Sequence, residues 1–182
     1  QGYVHQQLAS RCTYRLHDHL RTKLERWKIA PLPGYRPARS MGILQALRNR
    51  TPPRVVAAVI RTQWNGWVTA RRFTTARLQN ACIFCGFPED SIEHYANCQV
   101  VSEIARRHLG LARAESPEQR LTEFLVLHVS PNNAREEVRD LVARATLTAA
   151  VYATHNMMRH QPGCQTTAKD ALKQNVKEMM AS

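Results

Sequence analysis

The stretch from Cys82 to Cys98 constrains this chain more than any other part of its sequence. It places Cys82, Cys85, His94 and Cys98 at the spacing C-x2-C-x8-H-x3-C. Two thiolates separated by two residues can bind one ion from a tight turn, and a His and a Cys four positions apart share one face of a helical turn. Four ligands with no open position predict a closed, tetrahedral Zn²⁺ site, which is structural and not catalytic.

Unrelated core cysteines next to a surface histidine are the alternative interpretation of this stretch. Three of the five cysteines of the chain fall within it, and Gly86 supplies a turn residue directly after the second one. We therefore favour the metal site. Only Cys12 and Cys164 are then left over, so a disulfide framework is not expected. This cysteine usage favours a reducing compartment or an organelle interior over secretion.

The positive charge of the chain is concentrated in its first half. The net charge is +12, and residues 1–80 carry fifteen Lys or Arg against two acids, whereas the remainder carries eleven against twelve. Arginine supplies 21 of the 26 cationic residues, and its planar fork contacts phosphate bidentately and stacks on bases. We therefore expect a nucleic-acid partner for the first half. An acidic protein or an anionic membrane surface would be the alternative partner.

The arginines before the metal site are the candidates for contact with nucleic acid. They are Arg48, Arg50, Arg54, Arg61, Arg71, Arg72 and Arg77. Trp64, Trp67 and Phe73 are interleaved with them, and they either form a ledge that faces nucleic acid or belong to a core that supports the metal loop. We favour the core for the aromatic residues, and nucleic-acid contact for Arg71 and Arg72, because charged groups are rarely buried without a partner.

Apolar residues at a spacing of three or four predict six or seven helices, and no segment shows the alternation of a β-strand. We expect helices over Gln6–Trp27, Ser40–Arg50, Arg54–Gln63, a segment that includes Arg71, Arg72 and Arg77, Val100–Leu109, a segment that begins at Ser116 and extends through LTEFLVLHV, and Asn132–His160. A last amphipathic segment follows over Thr167–Met180. Three prolines and a glycine in PLPGYRP predict an extended linker at 29–39.

These features together predict an all-α fold, with a multi-helix body stapled by a small CCHC zinc knuckle. We expect a basic helical arm over residues 1–80. The knuckle and the helix that follows it would occupy residues 81–110. Residues 111–182 would then form a C-terminal helical body. The zinc ion would fix how the basic arm is presented to its partner, because a closed site stabilises one geometry.

The segment TARRF, then CxxCG and EDSIEHYANC, resembles the zinc-binding region near the C-terminus of non-LTR retrotransposon reverse transcriptases. The matching residues are Cys82, Cys85, Gly86, Glu89, Asp90, Ser91, Glu93, His94 and Cys98. The final spacing is H-x3-C here and H-x4-C in many members of that family. The resemblance covers roughly a fifth of the chain. It implies a CCHC zinc site and a nucleic-acid partner, in a repurposed protein of retroelement origin or in a fragment of such a polymerase.

Several catalytic signatures are missing from the sequence. A polymerase needs a pair of metal-binding aspartates, and the chain has no Asp-Asp pair. It also lacks a Pro-Asp dipeptide for a restriction-like nuclease, a GxSxG motif and a phosphate-binding GxxxxGK[ST] loop. We therefore expect no enzymatic activity from this chain and no small-molecule substrate. No uncharged apolar run of about 18 residues is present, so no membrane span is expected.

We expect a non-catalytic, zinc-binding structural protein that binds RNA in preference to DNA and belongs to a ribonucleoprotein such as a mitochondrial ribosome. Other protein subunits would be its further partners. The alternatives are a C-terminal nucleic-acid-binding fragment of a retrotransposon reverse transcriptase, and a basic protein-interaction subunit of a large complex. The chain begins QGYVHQQ, with no initiator Met and no signal peptide. We therefore expect either a longer chain or a removed presequence, which favours the mitochondrion or another organelle interior.

Overall fold

The computed structural model describes residues 22–23, 25–27, 37–73, 80–127, 134–160 and 165–181. Across these ranges the fold is all-α and contains no β-strand, which confirms the predicted fold class. The α-helices are α1 (Pro37–Arg48), α2 (Pro53–Gln63), α3 (Ile92–Asn97), α4 (Gln99–Ile104), α5 (Pro117–Phe124), α6 (Ala134–His160) and α7 (Ala168–Met180). A π-helical turn, Ala105–Leu109, continues α4. None of the helices in these ranges combines the length and the apolar character that a membrane span requires.

Helix α6 is the central element of the fold. It is 27 residues long and packs against α1, α2, α5 and α7. Ala145, Ala149 and Ala150 are buried along it, and their small side chains let neighbouring helices approach closely. Its described part lies within the predicted helix Asn132–His160, and the residues on either side, 131–133 and 161–164, lie outside the described ranges.

Helices α1 and α2 form a hairpin on one side of α6. The hydroxyl and the backbone N–H of Thr51 both donate to the carbonyl of Leu47, which closes the end of α1. Pro53 then occupies the first turn of α2, where its missing N–H leaves no helical hydrogen bond unmade. Leu47, Val55 and Val59 are fully buried in a hydrophobic cluster with residues of α6. The apolar faces of both helices therefore pack against α6.

Helix α5 ends earlier than the apolar run LTEFLVLHV predicts. Its last residue is Phe124, and Val126 follows with a φ of +56°. The N–H of Val126 donates to the carbonyl of Glu123, and that of Leu127 donates to the carbonyl of Thr122. This is the hydrogen-bond pattern of a Schellman C-cap, in which glycine is the usual left-handed residue. Val126 takes that position here with its side chain fully buried, so hydrophobic burial offsets the backbone strain.

Part of the basic arm lies outside the described residues. Most of the predicted helix Gln6–Trp27 and most of the linker at 29–39 belong to that part, although α1 already begins at Pro37. Trp27 is described and buried, and its indole N–H donates to the carbonyl of Gln63 over 2.8 Å. This hydrogen bond anchors Trp27, the last residue of the predicted helix Gln6–Trp27, to the end of α2.

A second hydrophobic cluster surrounds the stretch Cys82–Cys98, called the metal segment here, and joins it to the C-terminal helices. It includes Trp67 before that segment, Cys82 and Tyr95 within it, and Val151 and Leu172 on α6 and α7. The metal segment therefore rests on the same core as the long helix. The division into units 1–80, 81–110 and 111–182 stays a prediction.

Candidate metal centre

A tight turn brings the first two ligand candidates together. The N–H of Gly86 donates to the carbonyl of Cys82 over 2.9 Å, and the N–H of Cys82 donates to the carbonyl of Phe87 over 2.8 Å. Gly86 has a φ of +74°, which explains why glycine follows the second cysteine. Cys82 is buried below this turn, whereas Cys85 is exposed at its tip.

Helix α3 supplies the other two ligand candidates. Ser91 caps it, and its hydroxyl accepts a hydrogen bond from the N–H of His94 over 3.0 Å. The ring of His94 stacks on Phe87 with the ring centres 4.9 Å apart. Cys98 ends α3 in an extended conformation and directly precedes α4, so its thiol is held between two helices.

The four side chains converge on one point. Their ligand atoms all lie within 4.8 Å of one another. The sulfurs of Cys82 and Cys98 are 3.9 Å apart, and Cys85 Sγ lies 3.3 Å from His94 Nε2. Tetrahedral zinc would set sulfur–sulfur edges of about 3.8 Å and sulfur–nitrogen edges of about 3.6 Å. The structure therefore brings together all four predicted ligands, in an arrangement that could hold a metal ion and that suits zinc.

The thiols of Cys82 and Cys98 differ in their affinity for a proton. The hydrogen bond from Cys82 lowers the pKa of the Cys98 thiol. The same hydrogen bond, together with burial, raises the pKa of Cys82. A metal ion with thiolate ligands would displace the thiol protons.

Asp90 makes the main polar connection between the metal segment and the rest of the fold. Asp90 is 1% exposed. Its carboxylate accepts hydrogen bonds from the Tyr95 hydroxyl, from the guanidinium of Arg159 and, over 2.5 Å, from the N–H of Ala70. His155 Nε2 lies 3.5 Å from the same carboxylate. One buried charge therefore joins the loop after α2, the metal segment and α6.

The environment of Asp90 keeps it ionised. Burial opposes the charge, but the His155 ring, the Tyr95 hydroxyl, the Ala70 N–H and Arg159 together outweigh burial and lower the pKa of the carboxyl. Burial and the neighbouring Asp90 raise the pKa of Tyr95, which therefore stays a hydrogen-bond donor. No local sequence pattern indicates this network, because its partners are up to 69 positions apart in the chain. In the sequence, Asp90 stands out only as part of the segment that resembles the retroelement proteins.

Arg71 and Arg72 contact other parts of the protein. Arg71 forms a salt bridge of 2.5 Å with Glu93 and lies 4.0 Å from Glu89. Arg72 donates to the carbonyl of Asn65 and lies 5.1 Å over the ring of Phe73. The helix predicted for this segment is wrong at these positions, where the chain forms a turn. Both side chains are exposed, and their contact with nucleic acid stays a prediction.

The remaining arginine candidates lie on or beside the α1–α2 hairpin. Arg61 donates to the Tyr152 hydroxyl over 2.6 Å, and Arg50 donates to the carbonyl of Ala46 at the end of α1. Arg48 and Arg54 are exposed on the same hairpin. Arg77 lies outside the described residues, so six of the seven candidates can be placed. Their assignment to nucleic acid stays a prediction.

The aromatic residues beside these arginines have different environments. Trp67 is fully buried, and its indole N–H donates to the Thr62 hydroxyl over 3.0 Å. Trp64 is half-buried and packs against the same core. The predicted core position is confirmed for Trp67, but it is wrong for Phe73, which is 41% exposed. Phe73 lies at the turn that replaces the predicted helix, which explains its exposure.

No protein-family model matches this chain, and comparisons with curated proteins and with solved structures find no match either. The resemblance to retrotransposon reverse transcriptases therefore stays a prediction from the Cys82–Cys98 segment. Support for the candidate metal centre comes from the chemistry of its four ligands and from the distances between them.

Proposed function

We propose that this chain is a non-catalytic structural protein that binds Zn²⁺ at Cys82, Cys85, His94 and Cys98 and binds RNA through its basic N-terminal half. The observation that carries the proposal is the closed set of four ligands on a helical core, directly after a region with a large excess of arginine. A closed set leaves no position for a substrate, which favours a structural role for the ion.

The metal would fix the junction between the basic half and the helical body. Cys82 and Cys85 belong to the turn that follows the arginines, whereas His94 and Cys98 belong to α3 and its end. Structural zinc contributes on the order of 10 kcal/mol to folding in small modules. Zinc binding would therefore stabilise the arrangement of this turn and α3 by more free energy than the hydrogen bonds within them contribute.

Exposed arginines at the α1–α2 hairpin support the choice of a nucleic-acid partner. Arg48 and Arg50 carry no salt bridge to any described acidic side chain, so their charge is available for phosphate. The resemblance to polymerases that copy RNA favours RNA over DNA. A ribonucleoprotein, such as a mitochondrial ribosome with its other protein subunits, would be a suitable setting.

The resemblance also supports a second candidate function. In that case the chain would be the C-terminal part of a retrotransposon reverse transcriptase and would hold RNA or target DNA beside active sites encoded upstream. The length of the native gene product distinguishes the two. A continuous chain with a polymerase aspartate pair upstream would establish the second candidate.

The RNA-binding proposal can be tested by fluorescence anisotropy with a labelled RNA at several salt concentrations. Each phosphate contact contributes about 0.7 to the slope of log affinity against log salt for a single strand. We expect the double variant Arg48→Gln/Arg50→Gln to lower this slope by about 1.4. The control Arg106→Gln/Lys177→Gln removes the same number of positive charges from exposed positions elsewhere and should lower the slope much less. A flat salt dependence of the wild-type protein would favour an acidic protein partner instead.

A further inference from the structure

A groove with a volume of about 820 Å³ lies where three parts of the fold meet. One side is the loop between α1 and α2, with Arg48 and Arg50. The second is the end of the π-helical turn, with His108, and the third is formed by α6 and the end of α7, including Arg139. Three guanidinium groups from distant parts of the sequence therefore face one groove.

None of the described residues that line this groove is acidic. Within the described ranges, no salt bridge involves Arg48, Arg50 or Arg139. Like charges that converge without a counter-charge destabilise the folded state by mutual repulsion. A bound anion would relieve that repulsion.

Helix dipoles explain only part of this basic lining. Arg48 and His108 lie at the C-terminal ends of helical segments, where a positive charge is favoured by the dipole alone. Arg139 lies in the second turn of the described part of α6, so a favourable dipole at a helix C-terminus does not account for it. A ligand in the groove would give its charge a partner.

Part of the groove lining is apolar and is called its floor here. Leu109, Val142, Ala143 and Met179 are half-buried and form this part. An inorganic phosphate would contact the arginines and leave this floor in water. A duplex would also present mainly phosphate and sugar, because its bases are stacked inside. An unpaired nucleotide has both an anionic backbone and an apolar base face, and so matches both parts of the groove.

We propose that this groove binds an unpaired nucleotide of single-stranded RNA. The flanking phosphates contact Arg48, Arg50 and Arg139, and the base packs on Leu109 and Met179. The inference rests on the proposed RNA-binding function and specifies the form of RNA that is bound. It also adds Arg139, which lies outside the basic N-terminal half, to the contact residues.

The test compares Arg139→Gln with the control Arg106→Gln in the zinc-loaded protein. Arg106 is exposed on the π-helical turn and does not line the groove, so both variants lose one surface charge. The probes are a labelled oligouridylate and an RNA duplex with the same number of phosphates, measured by anisotropy. We expect Arg139→Gln to weaken binding of the oligouridylate by about 10-fold, because a charge-assisted hydrogen bond is lost. Binding of the duplex, and both affinities of Arg106→Gln, should change by less than about 2-fold.

Two further measurements test the floor and the chemistry of the ligand. An oligonucleotide that contains 4-thiouridine should photo-crosslink to peptides that include Leu109 or Met179. Crosslinks confined to other peptides would overturn the placement of the base. Displacement of the oligouridylate by polyglutamate of equal charge would also contradict the proposal, because the groove would then select charge alone.

The outcomes separate this inference from the function on which it rests. Salt-dependent binding by the wild-type protein, with equal effects of Arg139→Gln and Arg106→Gln, would overturn the groove and leave the RNA-binding function intact. Failure of the wild-type protein to bind either RNA would overturn both.

Discussion

At the scale of single residues, Asp90 links the metal segment to the helical body. It is buried, ionised and in contact with Arg159 and the Tyr95 hydroxyl. A buried charge is costly without a partner, so each member of this network depends on the others. Replacement of any one of them leaves an uncompensated polar group in the core.

Substitution of Asp90 by Asn should destabilise the fold by about 3 kcal/mol, because Arg159 loses its carboxylate partner in a buried site. The matched control is Asp140→Asn, since Asp140 pairs with Arg144 at a more exposed position. It should cost less than about 1 kcal/mol. Urea denaturation of the zinc-loaded proteins at neutral pH measures both. Equal losses for the two variants would contradict the role of Asp90.

The stability that Asp90 contributes should also depend on pH. The pKa of its carboxyl is lowered in the folded state, so its contribution is complete above the pKa of the unfolded chain and disappears as the pH falls through the folded pKa. The difference in unfolding free energy between the wild type and Asp90→Asn should be constant down to about pH 5 and should shrink below about pH 4. Protonation of the metal ligands affects both proteins and cancels in this difference. A difference that shrinks as the pH rises would contradict this assignment.

At the scale of elements, local signals predicted most of the helices. The apolar spacing identifies α5 and α7, and the capping residue Ser116 also marks the start of α5. The structure shows side-chain caps at Ser116 and at Thr167. Local signals failed where a long-range contact decides the backbone. The left-handed Val126 is tolerated because its side chain enters the core, and the turn near Arg71 is held by the backbone bond from Arg71 to Asp90. Neither partner is visible in a local sequence pattern.

The turn of the metal segment provides a prediction at this scale. Gly86→Ala should cost about 1 kcal/mol of stability, because alanine is strained at positive φ. A Cβ at Gly86 would meet no atom within 4 Å, so the cost is conformational and not steric. Gly42 in α1 also has open space, but it lies in a helix, where Gly42→Ala should stabilise by about 0.5 to 1 kcal/mol. Thermal unfolding of both variants would show this opposite sign, and a gain from Gly86→Ala would disprove the turn.

At the scale of the whole molecule, the candidate metal centre lies where the strongly basic first half of the chain meets the second half, and it rests on the common core. The four ligands were predictable because the residue types and spacing carry the chemistry, whereas their attachment to α6 through Asp90 and His155 was not. Tyr95 lies beside His94 in the chain and packs on Trp67 with ring centres 5.7 Å apart. Loss of the metal should therefore loosen the core around Trp67 as well as the turn.

The most direct test of the metal centre is the zinc content of the purified protein and of Cys85→Ser, measured by atomic absorption after dialysis. Cys85 is exposed, so its loss removes a ligand without opening a cavity in the core. We predict about one zinc ion per wild-type chain, strongly reduced zinc in Cys85→Ser and a lower unfolding temperature of that variant. A wild-type protein without zinc, or a variant with unchanged zinc content, would contradict the metal centre.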